Sequence, residues 1–491
     1  MILREILKGI NFTTKDKELL NKEIKDIKID HRLVEDGDLY IALEGRNFDG
    51  NLFADEAIRN GASVVVTDKN VFSREGINVS NARSAYAKMC KNFFGCACDD
   101  LKIIAVTGTN GKTTTCSIIA DILRTARKNV GVIGTLGAKY NGKVEETGFT
   151  TPDPYILHSL LKKMKSAGIE YVVMEASAHA LELNKLDGIT FEVGILTNIT
   201  EDHLDFFEDM DSYAKAKFKL LAREKSKIGL VCQGKDYLEE LFQTDHAPIF
   251  SYGLENGDVE GKILEKNFNG SVFQCKTPTG HMKVMTSLVG QYNIENALGA
   301  IATCKCFGID DWDIKKALCC TTPVEGRFNV VKGNNCNIII DYAHTPDGLE
   351  KVLQTAKEIT KKKLVVVFGC GGNRDRQKRE IMGKIASEIA DEVVLTSDNP
   401  RYEIPCEIIA DIKRGITKRN YHIEENRKKA IHYALNKFNH GETIVIAGKG
   451  AEKYQEIRGV KYPYNDFDVI CDYYKKSTSK EEIFEEENEN E

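Results

Sequence analysis

The stretch Ile103-Ile-Ala-Val-Thr-Gly-Thr-Asn-Gly-Lys-Thr-Thr-Thr115 decides how the rest of the chain is read. A β-branched apolar run of strand type breaks at Gly108. The loop Gly108-Thr109-Asn110-Gly111 then delivers Lys112, Thr113 and Thr114 into Cys116 to Arg124, whose apolar spacing is helical. Strand, glycine loop and helix in that order point backbone N–H groups and a helix N-terminus at a phosphate chain. Lys112 adds positive charge over the outer phosphates, and the Thr113 hydroxyl suits Mg²⁺. The first glycine of G-x-x-x-x-G-K would fall at 106, which is Val106. The textual match is therefore partial, and its place between strand and helix carries the reading.

With 491 residues the chain is long enough for two to four domains. A hydrophobic fraction of 42% with 29% charged residues is that of an ordinary soluble protein, and a net charge of −6 argues against a general nucleic-acid binder. No apolar run is long enough to cross a membrane, and Met1-Ile-Leu-Arg-Glu-Ile-Leu-Lys8 carries charge too early for a signal peptide. The fourteen cysteines show no repeated C-x-x-C spacing, so reduced thiols in a cytoplasmic protein are expected.

Residues 1–99 read as a small α/β unit, with strands at Asp38–Leu43 and Ser63–Thr67, a helix near Phe53–Arg59 and a boundary at Cys96–Asp100. Residues 100–326 alternate strand and helix, which implies a mostly parallel sheet covered on both faces. Its strand candidates are Ile103–Val106, Tyr171–Glu175, Val193–Thr197 and Ile228–Cys232. Glu175 closes one strand, and Asn198, Asp202 and His203 follow another. Ligands of open parallel sheets collect at strand carboxyl ends, so Glu175 and His203 are expected near the glycine loop. Alone, either would be an ordinary surface charge or structural histidine. From Met210 to Leu221 the chain reads as an amphipathic helix whose lysines, Lys217 included, form a solvent face. Asn293 and Asn296 begin another helix, where a carboxamide caps the helix or reads an adenine edge.

Residues 327–476 form a second doubly wound unit, with strands Asn337–Asp341, Leu364–Phe368, Glu392–Thr396 and Thr443–Ala447. Each ends in a loop rich in Arg, Asp or Gly. Gly369 to Gly372 lacks G-x-G-x-x-G spacing, which disfavours a dinucleotide site. The tail, 477–491, is dominated by Glu and reads as a disordered solvating end.

Taken in order, T-G-T-N-G-K-T-T, E-A-S-A-H, N-I-T-E-D-H-L-D, Y-N-I-E-N-A, G-R-F, D-Y-A-H-T-P-D and D-N-P-R resemble the Mur ligases of peptidoglycan synthesis, and among them the MurE type. The resemblance implies an ATP-dependent amide ligase with three α/β domains: UDP-sugar-binding, P-loop ATPase and C-terminal Rossmann-like. By position, Gly108 to Thr114, Asn296, Arg327 and Asp341 would bind ATP. Thr113, Glu175, His203 and Lys217 would hold Mg²⁺, two ions in all, with Lys217 carried as a carbamate (N6-carboxylysine). Lys112, Glu175, His203 and Lys217 would be the catalytic set. His31, Thr150, Thr151, Ser177 and Lys185 would bind UDP-MurNAc-L-Ala-D-Glu. Arg374, Asp398, Asn399, Pro400, Arg401, Gly448 and Glu452 would bind meso-diaminopimelate. A cytoplasmic monomer serving cell-wall synthesis, and so cell shape and division, is implied.

The sequence departs from the family pattern at His31, Ala178, Leu183, Lys185 and Ala451. A lysine in place of arginine at 185 keeps charge and loses the bidentate fork. Arg401 after the Asn399-Pro400 turn would pair the distal carboxylate of diaminopimelate. L-Lysine would leave Arg401 unpaired, at a cost of roughly 2–5 kcal/mol in a dry site. Alternatives from other classes are a P-loop GTPase or kinase, a Mur-like binding protein without activity, and a folylpolyglutamate synthetase. No N-K-x-D follows the loop, which counts against the first. Intact Lys112, Glu175, His203 and Lys217 count against the second, and the D-N-P-R loop with the matching N-terminal domain against the third.

Overall fold

In the computed structural model the opening stretch folds as the strand Lys102–Thr107, a glycine loop, and the helix Lys112–Thr125. Residues 1–45, 48–69, 75–234, 237–333, 335–438 and 440–475 are described, so the expected disorder at 477–491 lies outside them. Alternation along the strand explains its central place. Ile104 and Val106 join one apolar cluster with Ile118, Ile119 and Ile122 of the following helix. Ile103 and Ala105 face the other way, onto Leu157, Leu161 and Met164 of the helix Pro154–Ser166. Val106, which stands where a P-loop pattern has glycine, is fully buried in this strand. Truncating one such side chain, for example Ile119→Ala, costs about 2–5 kcal/mol.

Around this strand lies an eleven-stranded sheet. Its order is Gly280–Thr286, Gly270–Thr277, Val259–Asn267, Ile249–Gly253, Ser226–Cys232, Phe191–Leu196, Lys102–Thr107, Tyr171–Glu175, Val130–Gly134, Gly137–Tyr140, Lys143–Glu145. The middle is parallel, and both ends turn antiparallel. Strand ends differ from the sequence reading by a residue or two. The arm Val259–Thr286 was not anticipated.

The N-terminal sheet runs Phe12–Thr14, Gly76–Val79, Val64–Thr67, Leu39–Ile41, Ile27–Lys28, with only the first strand antiparallel. Asp38 to Leu43 shortens to Leu39–Ile41, and Cys96 takes positive φ before the 3-10 turn Ala97–Asp100. Two phenols join this part to the central sheet: buried Tyr86 donates to Asp153 at 2.5 Å and half-buried Tyr155 to Asp26 at 2.6 Å.

The C-terminal sheet runs Asn329–Lys332, Asn337–Asp341, Thr443–Ala447, Leu364–Phe368, Glu392–Leu395, Tyr421–Ile423. It is parallel apart from the first strand, with helices on both faces. A hairpin, Tyr454–Ile457 with Val460–Pro463, stands beside its carboxyl edge. All fourteen cysteines are free thiols. No helix among the described residues is long and apolar enough to cross a membrane.

Candidate active site

The carboxyl edge of the central sheet and the first loop of the C-terminal sheet face one cavity of about 230 Å³. Thr109 to Thr114 contribute much of one wall, and Arg327, Asp341, Tyr342 and His344 line another. The helix Lys112–Thr125 has no side-chain cap, so its first N–H groups are free for an anion. Gly111 has φ 88°, and a Cβ there would collide with the Asn296 carboxamide. The loop thus turns tightly against the helix Gln291–Cys306 only because residue 111 is glycine. Lys112 Nζ donates to Gly108 O at 2.8 Å and Thr109 O at 2.9 Å. Burial lowers its pKa, and Glu175 and Asp202 partly offset the effect.

Glu175 is fixed from two sides. Its Oε1 accepts from Thr113 Oγ1 at 3.0 Å and from Thr135 N at 2.9 Å, and Oε2 accepts from Thr135 Oγ1 at 3.2 Å. Thr135 in turn meets Thr150 at 3.1 Å, while Thr151 donates to Glu175 O at 2.9 Å and Ser177 Oγ at 3.2 Å. Thr150, Thr151 and Ser177 are therefore continuous with the phosphate end. Lys185 lies farther out, over the Phe149 ring at 5.2 Å, with its pKa lowered by burial.

His203 follows the strand Phe191–Leu196 in a left-handed turn, φ 57°, with Nε2 3.4 Å from Asp202. Its ring packs edge-on to His179 at 4.8 Å. Desolvation, opposed by Asp202 and reinforced by His179, Lys112 and Lys217, brings its pKa down to about 4, so the imidazole is neutral near pH 7. Lys217 corrects the reading of a basic solvent face. It is 1% exposed, its Nζ lies 4.0 Å from the Tyr213 ring centroid, and burial and Lys112 drive its pKa well down. Lys215 is exposed on the opposite face of the helix Met210–Phe218, because positions two apart differ by about 200°. Tyr213 and Lys217, four apart, share the inner one.

Thr113, Glu175 and neutral His203 offer hard oxygen and imidazole donors. No group of three His, Cys, Asp or Glu able to hold a metal ion is gathered among the described residues. Mg²⁺ suits such a sparse set, because it takes one or two protein ligands and fills its remaining positions with phosphate and water.

Helix capping by asparagine is also corrected. The helix Gln291–Cys306 is preceded by Gly290 with no side-chain cap. Asn293 donates to Val289 O at 2.8 Å, and Asn296 lies behind Gly111 with Oδ1 3.3 Å from Thr115 Oγ1. Both line the cavity. Asp341 accepts from Phe328 N at 2.6 Å and Ala343 N at 2.7 Å, and burial raises its pKa. Arg327 stacks on Tyr342 at 4.5 Å.

The residues expected to take the amino acid form a second constellation. Asn399 donates to Glu452 at 2.9 Å and accepts from Lys449 at 2.9 Å, and Lys449 meets Glu452 at 2.8 Å. Asp398 lies under Gly448, and Pro400 carries the chain into Arg401, which has φ 51°. Arg374 is exposed. Arg401 is not free: Nε lies 3.3 Å from Glu456, and Nη1 donates to Gly372 O at 2.8 Å. The expectation that L-lysine would leave it unpaired is overturned. His31 lies in the N-terminal part, in the 3-10 turn His31–Leu33. It is 6% exposed and stacked on Phe53 at 4.3 Å, with Nε2 3.6 Å from Glu56.

Three family profiles match this arrangement in order: the Mur ligase catalytic domain over 23–93, the Mur ligase middle domain over 106–304 and the Mur ligase glutamate ligase domain over 326–450. The chain belongs to the Mur ligase family. Relatives of this Mur ligase include proteins named UDP-N-acetylmuramoyl-L-alanyl-D-glutamate–2,6-diaminopimelate ligase from three bacteria. That of Syntrophomonas wolfei is 39% identical, covering 96% of this chain and 99% of its own. That of Clostridium perfringens is 40% identical with the same coverage, and that of Aquifex aeolicus 40% identical over 93% and 94%. A solved structure of a ligase of that name has TM-score 0.71 at 30% identity, covering 97% of this chain and 99% of the other. MurF from Acinetobacter baumannii (TM-score 0.64, 20% identity, 96% and 98% covered) shares the fold. Mycobacterium tuberculosis folylpolyglutamate synthase (0.62, 18%, 74% and 92%) shares it over less of the chain.

Reading the sequence missed two groups in this Mur ligase. Thr135 follows the strand Val130–Gly134, and the strand-end rule would have marked it had that strand been recognised. Glu456 sits in the hairpin Tyr454–Ile457, whose pairing has no apolar alternation to announce it.

Proposed function

We propose that this Mur ligase joins meso-diaminopimelate to UDP-MurNAc-L-Ala-D-Glu, with ATP converted to ADP and phosphate. The observation that carries the reading is the single cavity walled by the glycine loop with Glu175 on one side and Arg327 with Asp341 on the other. The relatives' names supply the substrates. In this reading residues 1–99 take the UDP-sugar, 100–326 the ATP and 327–476 the amino acid, in a cytoplasmic monomer.

A carboxylate does not accept an amine until one of its oxygens becomes a leaving group. The side-chain carboxylate of D-Glu attacks the γ-phosphorus; an O–P bond forms, the β–γ bridge breaks and ADP leaves. Lys112 and the uncapped N–H groups at the start of the helix Lys112–Thr125 hold the transferring group, which is electrostatic and positional catalysis. The diaminopimelate amine, having lost its proton, attacks the acyl carbon, and phosphate departs as the C–N bond forms. Asn296, Arg327 and Asp341 hold the nucleoside end. Thr150, Thr151, Ser177 and Lys185 hold the dipeptide beside Glu175. Arg374, Asp398 to Arg401, Gly448 and Glu452 orient the amino acid. Thr113, Glu175, His203 and a carbamate on Lys217 would hold two Mg²⁺ ions, which supply charge neutralisation between phosphate and carboxylate. A buried lysine with a depressed pKa has the neutral amine that carbamate formation needs.

The Arg401–Glu456 pair favours one second reading, the same ligation with L-lysine, since an arginine that already has a partner discriminates less against it. ADP release measured with and without the UDP-dipeptide, against meso-diaminopimelate and L-lysine in competition, tests both. The expected result is turnover only with dipeptide and amino acid together, and preference for diaminopimelate. Equal ATP hydrolysis without dipeptide would sink the ligase reading, and a preference for lysine would select the second.

A further inference from the structure

We infer that Asp347 is a positioning residue through which the C-terminal domain, on closing, fixes the phosphate loop and the loop carrying Asp202 and His203. Asp347 stands in the first turn of the helix Pro346–Ile359, on the C-terminal side of the cavity. Its Oδ2 accepts from Asn110 Nδ2 at 2.9 Å and from Thr200 Oγ1 at 3.3 Å, both on the central side. These two partners belong to the two loops that form the phosphate end.

The rest of Asn110 is already held within its own sheet. Its N–H donates to Asn198 Oδ1 at 3.0 Å, and its carbonyl accepts from Thr197 Oγ1 at 2.6 Å and Asn198 Nδ2 at 3.1 Å. Thr200 is tied to the glycine loop as well: its N–H donates to Thr109 Oγ1 at 3.0 Å, and Thr109 Oγ1 donates to its carbonyl at 3.0 Å. The Asn110 side-chain amide and the Thr200 hydroxyl are the groups these loops extend to Asp347. One carboxylate oxygen therefore reads the relative position of both loops, and it does so only when the C-terminal domain is in place. A bare carboxylate here would oppose the phosphates of a nucleotide. Lys351, one turn on, pairs with Asp347 at 2.7 Å and lines the cavity, so the latch brings little net charge with it.

Water destroys an acyl phosphate, and the two loops must be ordered before that intermediate forms. Asp347 makes their order conditional on closure. This deepens the ligase reading and rests on it for its kinetic consequence. Asp347→Ala should lower kcat by about ten- to a hundredfold, as loss of a charge-assisted hydrogen bond does, leave the KM for UDP-dipeptide unchanged and raise phosphate released per amide formed. Asp347→Asn keeps an acceptor oxygen and should stay within about threefold of wild type.

The test pairs these kinetics with a measurement that does not need the ligation: amide hydrogen exchange of residues 108–114 and 198–203 with a non-hydrolysable ATP analogue. In wild type the analogue should protect both segments, and in Asp347→Ala the protection should fall in both. Asn110→Ala, which leaves the Thr200 bond to Asp347 in place, should lower protection chiefly in 108–114, and the double variant should be no worse than Asp347→Ala alone. Full protection in Asp347→Ala, or effects on protection that multiply in the double variant, would overturn the inference. Wild-type protection without amide formation would instead refute the ligase reading and leave the latch standing.

Discussion

At the carboxyl edge of the central sheet Lys112 bends onto two backbone carbonyls, whereas at the same edge of the C-terminal sheet Lys449 and Arg401 rest on the carboxylates of Glu452 and Glu456. Both edges gather cations in the loops that follow parallel strands. They differ in what answers the charge. Carbonyl dipoles leave Lys112 desolvated and short of a full counter-charge, so an arriving phosphate gains from it. Where the partner is a carboxylate, an arriving ligand exchanges one ion pair for another. The first arrangement spends its charge on catalysis, and the second spends it on shape and choice.

Removing the uncompensated cation should have the largest effect. Lys112→Ala is expected to lower ADP release by about three orders of magnitude or more while the urea midpoint barely moves, because no ion pair is broken. A rate within tenfold of wild type would erase the contrast between the edges. Lys217→Ala should be nearly inactive and partly restored by added short carboxylates. Mass spectra of active enzyme in bicarbonate that show only an unmodified amine would refute the carbamate.

On the compensated edge the loss should appear first as stability. Glu452→Ala leaves Lys449, which is fully buried, without its carboxylate, at a cost of about 2–4 kcal/mol in urea unfolding. An unchanged midpoint would mean that Asn399 alone satisfies Lys449. Choice should be read at Arg401. Arg401→Ala should cut selectivity for diaminopimelate over lysine, whereas Glu456→Gln should sharpen it by about three- to tenfold. The two variants moving selectivity in the same direction would show that Glu456 is no rival of the substrate.

Acid separates the edges most gently. His203 has its pKa lowered from 6.5 to about 4, so the unfolded chain binds the proton more readily and stability falls as pH drops from 6.5 towards 4. Glu403, held by Arg379, is lowered from 4.5 to about 2, so its contribution persists until pH falls below 4.5. The central edge should loosen first. Urea midpoints at pH 7, 5 and 4 should converge for His203→Asn relative to wild type; parallel curves would show that other groups set the slope.

The sequence revealed the parts of this comparison that local pattern controls. The strand–glycine–lysine run, Glu175 at a strand end and the D-N-P-R turn are all set within a few residues. Lys217 was half-visible: its four-residue spacing from Tyr213 was present in the sequence, yet three lysines in five residues drew the eye to a solvent face. Glu456 and Thr135 were hidden because they matter through partners more than thirty residues away. The packing of His31 against Phe53 and Glu56 is likewise invisible in the sequence, because those partners lie more than twenty residues away.

Gly326 has φ 70°, and a Cβ there would collide with the backbone of Gly450 and Ala451. It immediately precedes Arg327, on the wall of the nucleotide cavity, and touches the loop proposed to receive the amino acid. A protein engineer who wished to change the amino acid by grafting residues 448–452 from a relative would therefore be editing the nucleotide pocket at the same stroke. The smallest transferable module is that loop together with residue 326, and a graft that ignores the glycine should fail for reasons that look like poor ATP binding.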